Sequence, residues 1–155
     1  MLFVCTGNIF RSLTAEHALR HALRGHADVH VASAGTDDFP HVVRPAVREY
    51  LLSKGFDVSR HARRTLTQDM LQASTLVIAM STDHHAHLLQ VFNHRATLFL
   101  EACGEPAAAL PDIEEAVPDY RTNRVAVEAH TRATIDRIIA LTPRLAGRLD
   151  TLLPR

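Results

Sequence analysis

The chain has 155 residues, of which 46% are hydrophobic and 22% are charged, and its 17 Lys and Arg balance 17 Asp and Glu. This length and composition are typical of one globular domain, so we expect residues 1–155 to form a single domain. The zero net charge offers no basic surface for a nucleic acid, and no apolar run is long enough to span a bilayer. Because the N-terminus also lacks a signal-peptide pattern, we expect a cytoplasmic protein with no nucleic-acid or membrane partner.

The first half of the chain alternates between strand and helix patterns. The opening MLFVC is a short apolar run typical of a buried parallel strand. From Ser12 the apolar residues recur with a helical period, which predicts a helix that ends at Gly25. Residues 28–35 alternate as a strand does, and Pro45 suits an early position of a second helix.

The second half repeats this alternation. TQDMLQA predicts a short helix with Thr67 as its N-cap, TLVIAMS a buried strand, TDHHAHLLQVF a helix and ATLFL a further strand.

Residues 101–121 contain three prolines and are expected to be irregular. A long helix is predicted from about Arg124, with Pro143 breaking or kinking it. The whole pattern predicts an α/β fold of three layers, in which a four-stranded parallel sheet is flanked by helices on both faces.

The segment CTGNIFRS, residues 5–12, connects the first predicted strand to the first predicted helix. Ligands bind at this edge of a parallel sheet, and the amides of a tight loop entering a helix favour an anion. Gly7 and Asn8 tolerate the left-handed backbone of such a loop, and the fork of Arg11 matches two phosphate oxygens. The loop is therefore predicted to bind a tetrahedral dianion, with phosphate or vanadate as inhibitory ligands. Its predicted phosphate-binding residues are Thr6, Gly7, Asn8, Ile9, Phe10, Arg11 and Ser12.

Cys5 lies at the start of this loop. A cysteine that faces a helix N-terminus beside an arginine is expected to be a thiolate at neutral pH. A thiolate beneath a bound phosphoryl group is placed for in-line attack, and the Ser12 hydroxyl is suited to donate to the sulfur. The alternative is that Cys5 is a small buried apolar residue that closes the strand.

Neither the cysteines nor the histidines predict a metal site. Cys5 and Cys103 are 98 positions apart and fit no metal or redox spacing. His84 and His87 share a helical spacing but lack a carboxylate or cysteine partner at a persuasive distance in sequence. No metal and no cofactor are therefore expected.

With these residues, the chain resembles the low-molecular-weight protein tyrosine phosphatases. Their loop has the pattern V-C-x-G-N-x-C-R-S-P, and residues 4–13 are V-C-T-G-N-I-F-R-S-L. SAGT at residues 33–36, RPA with the following HARRTLT, and LVIAMSTDH at residues 76–84 are similar to further motifs of that family. The resemblance implies a low-molecular-weight phosphatase-like fold. It also implies hydrolysis of phosphotyrosine, an aryl phosphate monoester, on a protein substrate.

The resemblance implies a role for each matching residue. Cys5 would form a cysteinyl-phosphate, while Arg11 and the amides from Thr6 onward would bind the phosphate and stabilise the transition state. Asn8 would maintain the shape of the loop, and Ser12 would stabilise the thiolate.

Four further positions follow from the same resemblance. Ser33 and His61 would form a supporting network around the loop. The family also has a general acid in a late Asp-Pro loop, and this chain has no Asp-Pro there. Asp119, in VPDY, stands nearest the final helix and is the first choice for the catalytic acid, whereas Asp112, in LPDI, is the second.

The chain departs from the family at three positions. Phe10 replaces the second cysteine of the loop, so the disulfide that protects the nucleophile cannot form there, and only Cys103 is left to replace it. Leu13 replaces a proline. Because the aromatic pair of the late loop is reduced to Tyr120, Phe39 is predicted to supply part of the cleft wall.

Three other functions are left open. Protein arginine phosphatases have threonine where this loop has Ile9, which favours the tyrosine phosphatase. Thioredoxin-linked arsenate reductases need two further cysteines after the third strand, and MSTDHHAHLLQ has none. The missing Asp-Pro is compatible with a catalytically weak phosphoprotein-binding module, although Cys5 and Arg11 argue against it.

Overall fold

Strands and helices alternate along residues 1–24 and 28–153, the part of the chain that the computed structural model describes. The strands are β1 (Leu2–Cys5), β2 (Ala32–Gly35), β3 (Val77–Ala79) and β4 (Thr97–Leu98). The helices are α1 (Arg11–Ala22), α2 (Pro45–Ser53), α3 (Gln68–Gln72), α4 (Thr82–Phe92), α5 (Phe99–Ala102), α6 (Ile113–Ala116), α7 (Arg124–Ala146) and α8 (Leu149–Leu152).

The four strands form one parallel sheet in the order β2-β1-β3-β4, as the sequence predicts. β1 pairs with β2 on one side, with Cys5 opposite Gly35, and with β3 on the other, with Val4 opposite Ala79. The chain therefore leaves β1 in one direction and later returns to its other side. A crevice opens beyond the carboxyl end of the strand at such a point, and Cys5 occupies that end.

Alternate strand residues face the two helical layers. Phe3 and Ile78 belong to a core that includes residues of α1, α5, α7 and α8. Leu2 and Val77 belong to the opposite core, together with Leu88 of α4. Both faces of the sheet are thus covered, which explains why the strands are almost continuously apolar.

Several predicted boundaries differ from the structure. The strand predicted over residues 28–35 begins only at Ala32, and the segment 101–121, expected to be irregular, contains α6. Pro143 lies inside α7, which continues to Ala146, because a proline in the last turn removes a hydrogen bond close to where the helix ends anyway. The apolar run ATLFL is a strand only at Thr97–Leu98, and Phe99 begins α5, since so short an apolar run does not distinguish strand from helix. The helix end predicted at Gly25 lies outside the described residues.

The longest described helix, α7, has 23 residues. Neither α7 nor any other helix in the described ranges is long and apolar enough to cross a membrane.

Candidate active site

The loop between β1 and α1 forms a tight turn against the end of β2. Asn8 has a left-handed backbone with φ +55°, and α1 begins at Arg11. The carbonyl of Cys5 accepts from the Thr36 amide at 2.9 Å. Gly35 passes so close that a Cβ there would lie 2.5 Å from the carbonyl oxygen of Thr6. Only a glycine therefore allows the loop to rest on β2.

The Cys5 thiol is almost fully buried, with 2% of the residue exposed. Its sulfur lies 3.0 Å from Ser12 Oγ and accepts the Asn8 amide N–H at 3.3 Å. When the sulfur is a thiolate, the hydroxyl donates to it as well. Two donors therefore stabilise a negative charge at this position.

Arg11 is buried beside the thiol, with 1% of the residue exposed. Its Nη1 donates to the Leu110 carbonyl at 2.9 Å, and its Nη2 donates to Asp112 Oδ2 at 2.6 Å. Its Nε is buried and has no hydrogen-bond partner among the described residues. Such a donor is costly to leave unsatisfied, so the site is suited to an anion that accepts from it.

Several loop amides are also without an acceptor. Within the described part of the chain, no backbone carbonyl or side chain accepts from the amides of Thr6, Gly7, Ile9 and Phe10. The first turn of α1 has no side-chain cap, because its N-cap residue is Phe10. These amides and Arg11 lie at one cleft and can together bind a dianion of phosphate size.

The Asn8 side chain fixes the loop from behind. It is fully buried, and its Nδ2 donates to Ser12 Oγ at 2.9 Å and to Ser33 Oγ at 2.7 Å. Its Oδ1 accepts the Arg64 amide at 3.0 Å. The Asn8 carbonyl lies 3.0 Å from His61 Nε2, so that nitrogen carries a proton. Burial lowers the pKa of His61, which keeps the ring neutral.

Glu16 extends this network and was missed in the sequence. It is 1% exposed, accepts from the Ser33 hydroxyl, and pairs with Arg64 at 3.1 Å and with Arg20 at 2.7 Å. The available signal is its spacing: Glu16 follows Ser12 by four residues and therefore lies on the same helix face.

His84 supports the start of the loop, a role that the sequence did not indicate. Its Nε2 lies 2.9 Å from Thr6 Oγ1 and its Nδ1 lies 2.8 Å from Ser81 Oγ. Burial, together with the charge of Arg11, lowers the pKa of His84 to about 3. Both ring nitrogens of His84 are thus engaged in contacts with protein hydroxyls. In residues 1–24 and 28–153, no group of three His, Cys, Asp or Glu side chains is placed to bind a metal.

The two candidate acids occupy different places. Asp112 lies in the cleft, where its Oδ2 pairs with Arg11 and its Oδ1 accepts the Ile113 amide at 2.7 Å. Asp119, the first choice from the sequence, is exposed and accepts from Asn123 Nδ2 at 2.9 Å, outside the cleft lining. The short helix α6 separates the two and leaves the earlier aspartate beside the loop.

The cleft has a volume of about 610 Å³. Five of the predicted phosphate-binding residues line it, namely Thr6, Gly7, Ile9, Phe10 and Arg11. Asn8 and Ser12 are buried behind it. The apolar side chains of Val47, Ile113 and Val127 and the ring of Tyr120 complete walls suited to a flat organic group.

The predicted wall residue Phe39 is not part of the cleft lining. It is 60% exposed, and its ring lies 4.9 Å from the ring of His41, centroid to centroid. His41 lines the cleft and bonds to Asp37 Oδ2 at 2.9 Å. The sequence thus indicated the correct loop but not the residue of that loop that faces the site.

Cys103 follows α5 and is buried in the apolar core, with 2% of the residue exposed. Burial raises the pKa of its thiol to about 12. Cys103 is therefore a protonated thiol at neutral pH and a poor nucleophile for resolving an oxidised Cys5.

Comparisons with known proteins agree with this geometry. The family model described as low molecular weight phosphotyrosine protein phosphatase matches residues 1–152. The protein-tyrosine-phosphatase Etp of Escherichia coli K12 is 35% identical over 92 residues, which are 59% of this chain and 60% of Etp. An arsenate reductase of Staphylococcus aureus is 33% identical over 81 residues, 52% of this chain and 59% of the reductase. These matches span less than two thirds of either relative.

Solved structures are similar over almost the whole chain. The low molecular weight protein tyrosine phosphatase of T. tengcongensis has a TM-score of 0.77 at 25% identity, covering 96% of this chain and 97% of that one. YwlE arginine phosphatase from Geobacillus stearothermophilus has a TM-score of 0.75 at 26% identity, covering 97% of this chain and 92% of that one. The match over residues 1–152 shows that the chain belongs to the low molecular weight phosphotyrosine protein phosphatase family.

Proposed function

We propose that this protein hydrolyses phosphotyrosine, or another aryl phosphate monoester, through a phosphorylated Cys5. The observation that carries the proposal is the buried thiol at the base of a loop in which the amides of Thr6, Gly7, Ile9 and Phe10 and the Nε of Arg11 have no acceptor among the described residues. A phosphoryl group bound to those donors would present its phosphorus to the sulfur. The substrate protein and a cytoplasmic location are part of this proposal.

In the first step, the Cys5 thiolate attacks phosphorus, and the bond from phosphorus to the ester oxygen breaks. The loop amides and Arg11 stabilise the charge on the equatorial oxygens of the transition state. Ser12 and the Asn8 amide stabilise the thiolate before attack. The leaving phenolate oxygen takes a proton from a carboxylic acid.

We assign that acid to Asp112 rather than to Asp119, because only Asp112 lies in the cleft. In the structure, Arg11 pairs with the Asp112 carboxylate at 2.6 Å. A bound phosphate dianion competes for Arg11, and its charge repels the carboxylate. Asp112 is then released from Arg11 and lies where its carboxyl group can reach the leaving oxygen.

The second step returns the enzyme to its starting state. Asp112, now a carboxylate, accepts a proton from a water molecule as the water oxygen attacks phosphorus. The bond from sulfur to phosphorus breaks, inorganic phosphate leaves, and the Cys5 thiolate forms again. Ser12 donates to the departing sulfur in this step.

Arginine phosphatase activity is the second candidate, favoured by the likeness to YwlE. Ile9 lines the cleft and supplies an apolar surface where a guanidinium needs hydrogen-bond partners. The cleft walls therefore favour an aromatic ring. Arsenate reduction is disfavoured because Cys103 is buried and protonated, and the segment after β3 has no cysteine.

The test is a panel of rates on p-nitrophenyl phosphate, phosphotyrosine, phosphoarginine and arsenate with a thiol reductant. We expect turnover of the two aryl phosphates, competitive inhibition by phosphate or vanadate, and no activity in Cys5→Ser. Faster turnover of phosphoarginine than of phosphotyrosine would identify the second candidate. Full activity in Cys5→Ser would exclude the mechanism.

A further inference from the structure

A second groove opens from the cleft and is rich in arginine. Its walls are formed by Arg44, Tyr120, Arg121, Arg124, Val127 and Glu128, and its volume is about 440 Å³. We call it the arginine groove. Three of its residues, Arg44, Tyr120 and Val127, also line the cleft, so the two spaces are continuous.

The arginine groove carries a local positive charge in a chain whose net charge is zero. Its lining includes three arginines and one carboxylate residue, Glu128, whose Oε2 lies 3.8 Å from Nη2 of Arg132. Within residues 1–24 and 28–153, none of the three arginines of the groove forms an ion pair. Their charge is therefore available to a ligand.

Two of the three guanidinium groups are already positioned. Arg44 Nη2 donates to Thr131 Oγ1 at 3.0 Å. Arg121 Nε donates to the Tyr120 hydroxyl at 3.1 Å, and its guanidinium carbon lies 5.6 Å from the centre of the Tyr120 ring. Because these side chains are restrained before binding, less conformational entropy is lost when an anion pairs with them.

Three carboxylates, those of Asp37, Glu114 and Glu115, line the cleft, and Glu114 lies near enough to Arg121 to interact with its charge. An extended peptide whose phosphorylated residue occupies the cleft would reach the three arginines where it continues into the arginine groove.

We propose that the arginine groove binds a second anionic group of the same substrate chain, a carboxylate or a second phosphoryl group close to the phosphorylated tyrosine. This inference rests on the proposed phosphotyrosine phosphatase activity and adds a substrate preference to it. Acidic or doubly phosphorylated segments are then better substrates than neutral ones, and basic residues on the groove side are unfavourable.

The test compares native protein, Arg121→Gln/Arg124→Gln and Arg95→Gln. Arg95 is exposed and lies just before β4, at the amino edge of the sheet, so it controls for the loss of surface charge. The substrates are p-nitrophenyl phosphate and phosphotyrosine peptides that carry one Asp, one phosphoserine or one Gln at successive flanking positions. The Asp and phosphoserine peptides distinguish a carboxylate from a phosphoryl ligand.

We expect native protein to prefer the anionic peptides at one or two positions by roughly three- to tenfold in kcat/KM, as for a few partly exposed ion pairs. The double variant should lose that preference and hydrolyse p-nitrophenyl phosphate at the native rate, and Arg95→Gln should behave as native. Salt of about 1 M should also abolish the preference, because it screens exposed charges beyond about 3 Å.

Suppose that p-nitrophenyl phosphate is hydrolysed. The inference is then overturned if native protein shows no preference for the anionic peptides, or if the double variant keeps the full preference. If no substrate is hydrolysed, the proposed function fails instead. The groove is then judged by the affinity of the Cys5→Ser protein for the fluorescently labelled peptides. Equal affinity for the Asp, phosphoserine and Gln peptides would reject the inference. Weaker binding of the Asp or phosphoserine peptides by the triple variant Cys5→Ser/Arg121→Gln/Arg124→Gln than by Cys5→Ser would support it.

Discussion

Asp112 and Arg11 form an ion pair that the catalytic cycle must break. Asp112 Oδ2 lies 2.6 Å from Arg11 Nη2 and accepts from a donor that a phosphate would also use. The same aspartate begins α6 by accepting the Ile113 amide at 2.7 Å. Its backbone is therefore fixed at the cleft, while its Oδ2 can exchange the guanidinium for the leaving oxygen of a substrate.

Replacement of Asp112 should therefore impair the proton transfer. We expect Asp112→Asn to lower kcat on phosphotyrosine by about 10²–10⁴-fold, the range for loss of a general acid. The loss on p-nitrophenyl phosphate should be smaller, because p-nitrophenolate leaves without much protonation. Steady-state rates on both substrates measure this.

The matched control is Asp119→Asn, which changes an exposed carboxylate outside the cleft lining. It should retain rates close to native on both substrates. If Asp119→Asn were impaired and Asp112→Asn were not, the first choice made from the sequence would be right, and the assignment to Asp112 would be contradicted.

His84 should make the stability of the fold depend on pH. Its pKa is about 3 in the folded protein, below the ordinary 6.5, so the folded ring stays neutral while the unfolded chain binds a proton. Stability therefore falls as pH decreases from 6.5 toward 3, by up to about 1.4 kcal/mol per pH unit. We expect the difference in the free energy of unfolding between native protein and His84→Gln to become smaller as pH decreases over that interval.

Urea unfolding at several pH values between about 7 and 5 measures this difference. His94→Gln, a change in the turn after α4, serves as the control for the loss of one imidazole. A difference that stays constant with pH would show that His84 binds a proton as readily in the folded protein as in the unfolded chain, which would contradict the lowered pKa.

The sequence predicted the residues of the phosphate loop because a single short segment contains them. Cys5, Arg11 and Ser12 follow from the spacing and from the strand and helix on either side. His84 and Asp112 reach the same site from 78 and 101 positions away, according to the hydrogen bonds to Thr6 and Arg11. No periodicity reports such contacts, so the sequence did not indicate a role for His84 and ranked Asp112 only second to Asp119 as the catalytic acid.

The contact between β2 and the phosphate loop depends on one glycine. Gly35 ends β2, and a Cβ there would lie 2.5 Å from the Thr6 carbonyl oxygen, which is backbone and cannot rotate away. We expect Gly35→Ala to move the loop, with a loss of about 1–3 kcal/mol in the free energy of unfolding and a large loss of activity.

Gly147→Ala provides a comparison at the end of α7. An added Cβ there meets nothing closer than 3.7 Å, and φ is −69°, so alanine fits without strain. That variant should be as stable as native protein or slightly more so. Thermal unfolding and rates on p-nitrophenyl phosphate measure the stability and activity of both variants. A Gly35→Ala protein with full activity would contradict the close approach of the phosphate loop to β2.

The type of a helix or strand could be predicted where the repeat of its apolar residues continued over a long enough segment. α1 and α7 repeat apolar residues over several turns, and β3 is a compact apolar strand, so their types followed from the sequence. β4 and α5 share the single run ATLFL, in which neither period is completed. α6 has only four residues and depends on its cap at Asp112, which composition alone does not reveal.

Binding of an anion at the loop should stabilise the whole domain, because the loop connects the sheet to α1, and α1 packs on α7. A ligand at about 100 times its Kd adds about 2.7 kcal/mol to the free energy of unfolding. We expect phosphate and vanadate to raise Tm, with chloride at equal ionic strength as the control. Arg11→Lys should show a smaller rise, and an equal rise in both proteins would mean that the anion binds elsewhere.

The central claim is that the fold presents Cys5 as a nucleophile to a bound phosphoryl group. The direct measurement is to quench Asp112→Asn with acid during turnover of p-nitrophenyl phosphate and to locate the added mass by peptide mass spectrometry. We expect one phosphoryl group on the peptide that contains Cys5, and none in Cys5→Ser. Turnover without phosphorylated Cys5, together with retained activity in Cys5→Ser, would contradict the claim.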